Sequence, residues 1–112
     1  MTKAKELREG QRFPFRIRVD YKSKEIFLFE YSENLSTSGI FLNTPEPLVP
    51  GTHLELQFTP EGGDEIISVA GEVIWVNAGK DSTKPGMGIK FVDINKRTRE
   101  KITNLVRRLA VL

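Results

Sequence analysis

The sequence contains no cysteine and a single histidine, His53. Disulfides, thiolate nucleophiles and Cys-ligated zinc are therefore excluded, and a multi-histidine metal site cannot be assembled. Long apolar runs are missing as well. None approaches the roughly 20 residues that cross a bilayer, and residues 1–10 lack the apolar core of a secretory signal. No membrane insertion is expected, and the expected location is cytoplasmic. There are no internal repeats and no low-complexity tracts. What the 112 residues do hold is 38% hydrophobic and 29% charged side chains with 9 Gly and 6 Pro, the composition of one ordinary globular domain and not of a disordered chain.

The formal net charge of +2 conceals an uneven distribution. Residues 1–24 carry 8 Lys and Arg against 3 Asp and Glu, residues 95–112 carry 6 against 1, and the stretch between them carries 3 against 11. Basic ends around an acidic body can hold an anionic ligand locally. They lack the broad positive face of a duplex-binding domain.

The hydropathy pattern has a period of two for most of the chain. Phe13, Phe15, Ile17 and Val19 alternate with Pro14, Arg16 and Arg18, which predicts a first, half-buried strand. Ile26 to Tyr31, apolar on both faces, predicts a central second strand, and Gly39 to Leu42 a short third. After a connection stiffened by Pro45, Pro47 and Pro50, Leu54, Leu56 and Phe58 mark a fourth strand. Ile66 to Val76 gives a long fifth in which Gly71 permits a bend or bulge, and Met87, Ile89 and Phe91 give a sixth. The period then changes: Ile102, Leu105, Val106, Leu109 and Leu112 share one face of a helix, with Asn95 as its N-cap. The expected fold is all-β with a C-terminal helix, a six-stranded antiparallel β-barrel. The expected divisions are a flexible basic arm over 1–12, the barrel over 13–94 and an amphipathic helix over 95–112.

Two features could carry chemistry. Arg8 and Arg12 lie four apart in the arm and Arg16 four further on, giving two overlapping R-x3-R pairs. Such spacing alone is also what solvated charge looks like. Asn34-Leu35-Ser36-Thr37-Ser38-Gly39 interrupts the pattern between the second and third strands. It reads equally as a bend, since Asn and Ser cap their own backbone and Gly accepts a positive φ. Trp75, in a run of Val and Ile, is expected in the core or under the helix. His53 is expected at the surface, and no catalytic residue and no metal site is expected.

The order of these features resembles the PilZ domain family. Its motifs are an R-x3-R arm and a D/N-x-S-x-x-G turn, matched here by Arg8 and Arg12 and by Asn34, Ser36 and Gly39. The resemblance extends over nearly the whole chain, through Val19-Asp20-Tyr21, Gly71 to Trp75 and Gly86-Met87-Gly88. It is closest to the short stand-alone members, and it implies a six-stranded barrel, no enzymatic activity and no cofactor. It also implies binding of the bacterial second messenger bis-(3′-5′)-cyclic dimeric guanosine monophosphate (c-di-GMP) through Arg8, Arg12, Asn34, Ser36 and Gly39. Arg12 with Arg16 is the competing register of the arm, and Arg16 is a possible additional contact. The residue types suit the ligand: arginine can pair with guanine O6 and N7, stack on a purine face and bridge a phosphodiester. The implied role is a receptor that changes conformation and signals to an unidentified protein effector. The rival readings are a PilZ-like adaptor that does not bind the nucleotide and a small-barrel binder of single-stranded nucleic acid. The acidic middle of the chain makes nucleic acid the poorer fit.

Overall fold

A computed structural model describes residues 10–62, 65–79 and 84–111. Its strands are β1 (Phe13–Pro14), β2 (Arg18–Ser23), β3 (Ile26–Leu35), β4 (Gly39–Asn43), β5 (His53–Phe58), β6 (Ile67–Asn77) and β7 (Gly86–Val92), followed by α1 (Lys96–Ala110). All pairings are antiparallel. The sheet runs β3-β2-β5-β6-β7-β4, and β4 pairs back onto β3 to close a six-stranded barrel, with the two-residue β1 added on β3. The barrel and helix expected from the periodicity are present. Among the described residues no helix is long and apolar enough to cross a membrane.

The alternation that defines each strand also fills the barrel. On β5, Leu54, Leu56 and Phe58 are buried while His53, Glu55 and Gln57 are exposed. Val19, Leu35, Ile40, Leu42, Val73, Met87 and Ile89 complete the interior with no exposed area. Tyr21 shares that interior, where burial, then the charge of Glu30, pushes its phenol up to about 12, and a hydrogen bond with Thr44 works the other way. The helix is capped by Asn95, whose Oδ1 accepts the Thr98 N–H at 2.8 Å. It buries Ile102, Leu105 and Val106 and half-buries Leu109, packing on β6 and β1. Arg107 and Arg108 oppose the negative end of its dipole. Leu112 lies outside the described residues.

Three strand expectations change. The first strand is split, because the ladder stops between Pro14 and Arg18. The gap is held by Ser32, a fully buried residue whose hydroxyl accepts the Ile17 N–H at 3.0 Å and donates to the Phe15 carbonyl. Phe13, Phe15 and Ile17 nevertheless keep to the core side, and the Phe15 N–H still donates to the Glu33 carbonyl at 3.1 Å and the Ser32 N–H to the Ile17 carbonyl at 2.9 Å, so the face pattern survives where the regular ladder does not. The second strand is not central along its apolar run. Ile26 to Phe29 and Tyr31 are all exposed, because β4 reaches β3 only from Tyr31 onward and the β2–β3 hairpin projects past the closure. Finally, the bulge expected at Gly71 lies between Val73 and Trp75. Gly71 serves packing instead, since a Cβ there would stand 2.5 Å from Ile89 Cγ2.

Candidate functional site

The turn between β3 and β4 is organised from inside. Ser36 is fully buried, and its Oγ accepts the N–H groups of Ser38 at 3.2 Å and Gly39 at 3.1 Å. The Ser36 N–H donates to the Gly39 carbonyl at 2.9 Å. The hydroxyl expected to meet a ligand is thus occupied within the turn, where it fixes the residues on either side. Gly39 does not use a left-handed conformation. A Cβ there would lie 2.3 Å from the Ile89 carbonyl oxygen, so the missing side chain is what lets β4 approach β7.

The turn's first residue meets the arm. The β1–β3 register sets Phe13 opposite Leu35 and Pro14 opposite Asn34, which brings Arg12 alongside. Arg12 Nη1 donates to Asn34 Oδ1 at 2.8 Å, across 22 residues of sequence. Partial desolvation lowers the Arg12 pKa from its ordinary value, and a guanidinium remains cationic regardless. Arg16 goes elsewhere: it is exposed and stands 5.3 Å over the Tyr31 ring. Arg8, with residues 1–9, lies outside the described residues.

Arg12 and Asn34 line one side of an open groove of about 360 Å³. Its floor is aromatic. Phe41 and Trp75 stack with centroids 5.2 Å apart and planes inclined by 27°. Trp75 is 45% exposed, not buried in the core, because the bulge before it turns its side chain outward. Two glycines of β7 make room for this floor. A Cβ at Gly88 would lie 2.3 Å from Trp75 Nε1, and one at Gly86 would lie 2.4 Å from Phe41 Cζ. Glu33, Asn43, Asn77 and Lys84 form the polar rim. Asn43 Nδ2 donates to Glu33 Oε1 at 2.9 Å, and its buried Oδ1 has no hydrogen-bond partner among the described residues.

The groove therefore offers a planar cation, an apolar ring face, and amide donors and acceptors. Those are the elements that recognise a purine. Sequence reasoning missed Phe41, Asn43, Trp75 and Asn77. Only the Gly-x-Gly spacing of Gly86 and Gly88, two small residues in succession on one face of a strand, could have signalled that something flat lies across β7. A wider trough, about 680 Å³, runs over the outer faces of β2, β3, β5 and β6 and contains neither motif.

Comparison with known proteins agrees with the barrel. Among solved structures, the PilZ domain of CeSA from a cellulose-synthesizing bacterium superposes with a TM-score of 0.68 at 19% identity, covering 89% of this chain and 98% of that one. The PilZ domain of Escherichia coli YcgR, solved with c-di-GMP, gives 0.72 at 15% identity, with 88% of each chain covered. The Bacillus subtilis inhibitor of motility MotI/DgrA gives 0.72 at 20% identity, covering 87% of this chain and 48% of that one. Identities this low establish the fold alone. No curated protein matches the chain. The PilZ domain profile, however, matches residues 6–108, so it spans the described site and the barrel that carries it, and the chain belongs to the PilZ domain family.

Proposed function

We propose that this chain is a non-enzymatic receptor for c-di-GMP that signals to a protein partner. The observation that carries the reading is the Arg12–Asn34 hydrogen bond at the edge of a groove floored by Phe41 and Trp75. It joins the arginine arm to the N-x-S-x-x-G turn beside a surface on which a guanine can stack. In this reading Arg8 and Arg12 engage guanine edges and phosphodiesters, and Asn34 meets a base edge. Ser36 and Gly39 hold the turn in place. Arg16, over Tyr31, has a smaller share. Calorimetric titration with c-di-GMP, beside GTP and a single-stranded oligonucleotide, tests it: saturable binding of c-di-GMP alone is expected. No heat with any of the three, or preference for the oligonucleotide, would remove it.

The floor makes a separate prediction. Gly88→Val should lift Trp75 off β7, and because Trp75 is the only tryptophan its emission will report the displacement directly. Base stacking is worth roughly 1–3 kcal/mol, so c-di-GMP affinity should fall about five- to a hundredfold. A displaced ring with unchanged affinity would take the floor out of the site.

In the same proposal the arm is the part that responds. Residues 1–11 contain one Leu among several charges, and residues 1–9 lie outside the described residues. Ligand binding would close the arm over the barrel end and offer the effector a new surface. Limited trypsin digestion should then show c-di-GMP protecting the bonds after Lys5, Arg8 and Arg12, with cleavage after Lys80 unchanged. Equal cleavage in the arm at saturating ligand would refute the closure.

A further inference from the structure

β3 has neighbours on both sides only along part of its length. Asn34 and Leu35 pair with β1, and Tyr31 to Leu35 with β4. Ile26 to Glu30 pair with β2 alone among the described residues. Among the described residues this open edge is also the longest run of exposed large hydrophobic side chains: Phe27 is 74% exposed, Ile26 59%, Phe29 49% and Leu28 41%. Soluble proteins usually blunt such an edge with proline, lysine on the edge strand or a covering loop. Here the cations stand on the neighbouring strand, Arg18 4.0 Å and Lys22 5.2 Å over the rings of Phe29 and Phe27, and leave the edge itself clear.

The ladder fixes which backbone groups are open. Ser23 pairs with Ile26 across the two-residue turn Lys24–Glu25, where Lys24 has a φ of +58°. In antiparallel pairing from such a turn, Ile26, Leu28 and Glu30 direct their N–H and C=O groups to β2. Those of Phe27 and Phe29 then point to the open side.

We infer that this edge pairs antiparallel with the same edge of a second copy, with the two-fold axis at Leu28. In that register Phe27 of each copy meets Phe29 of the other as a hydrogen-bonded pair, their rings side by side on one face, while the two Leu28 side chains meet on the opposite face. All the open backbone groups are then used. The exposed apolar side chains amount to roughly 600 Å² per copy, close to the roughly 800 Å² a standard interface buries on each partner. Charge permits self-association, since Arg16 to Tyr31 holds four basic and three acidic residues. The same near-neutrality disfavours a polyanion lying across these rings.

The absence of cysteine makes the register directly testable. Facing residues of a non-hydrogen-bonded antiparallel pair have Cα atoms about 4.5 Å apart, within disulfide reach. Leu28→Cys should therefore oxidise to a covalent dimer. Ile26→Cys should do so poorly, because the two positions 26 stand four register steps apart, more than about 10 Å. Sedimentation equilibrium of the unmodified chain should show a concentration-dependent dimer. Phe27→Lys, at a site with little packing to lose, should weaken it at least tenfold with an unchanged melting temperature. A single monomeric species at every concentration would overturn the inference. So would equal cross-linking through positions 26 and 28, or undiminished dimerisation of folded Phe27→Lys. None of these readings depends on the nucleotide.

Discussion

Arg12→Ala is expected to lower affinity for c-di-GMP at least tenfold while leaving the thermal melt close to that of the parent. The side chain is exposed and its one described hydrogen bond is to Asn34, so the folded state loses little: an exposed hydrogen bond, even from a charged guanidinium, contributes on the order of 1 kcal/mol. The complex loses more. A bidentate contact to guanine discriminates by roughly 1–3 kcal/mol, and Asn34 Oδ1 also loses the donor that orients it. Arg12→Lys should not rescue, because an ammonium cannot form the planar fork or stack on a purine. Arg8→Ala should resemble Arg12→Ala, and Arg16→Ala should have a smaller effect. Titration calorimetry beside a thermal melt separates binding from stability. Full affinity in Arg12→Ala, or a larger loss in Arg16→Ala, would reject the proposed arm pair.

Leu105→Ala should have the largest effect on stability. Leu105 is 4% exposed, between the fully buried pair Ile102 and Val106 on the side of α1 that meets the barrel. Truncating such a leucine removes its transfer free energy and leaves a cavity, at a cost of roughly 2–5 kcal/mol. For a domain of this size that is a fall in melting temperature of about 8–20 °C. Leu109, only half-buried, should cost about half as much when changed to Ala. Differential scanning calorimetry of both variants checks the order. A neutral Leu105→Ala would mean that α1 does not dock on the barrel in solution.

The elements whose faces differ sharply in polarity were the ones legible in the sequence. β5 alternates strictly, and α1 has its stripe and its Asn95 cap, so both read directly. The Phe13 to Val19 alternation identified a face correctly and a continuous strand wrongly. Side-chain period reports orientation, whereas the ladder there is interrupted and completed by a serine far along the chain. Ile26 to Tyr31 misled for a different reason: a run apolar on both sides is compatible with a central strand and with an edge awaiting a partner. In the site, Arg12 and Asn34 were found through their motifs. Trp75 was not, because one residue of bulge reverses the side of the strand on which it falls, and nothing local in Val73-Ile74-Trp75 announces the reversal.

The shift in register between Ser32 and Asn34 on β3 has the same character, and it carries the site with it. Ser32 and Leu35 both face the interior, an odd number of residues apart, which an unbroken strand forbids. Parity is restored by one supernumerary position, and Asn34 is outside the barrel only because of it. A regular strand of the same residues would turn the Asn34 amide toward the interior and expel Leu35 to solvent, whereas deleting Glu33 would remove the extra position and leave both on their present faces. A shift of pairing by one residue, with both motifs still readable in the sequence, would thus separate the arm's guanidinium from its partner. The spacing between Ser32 and Asn34 is as much a part of the recognition apparatus as the side chains that flank it.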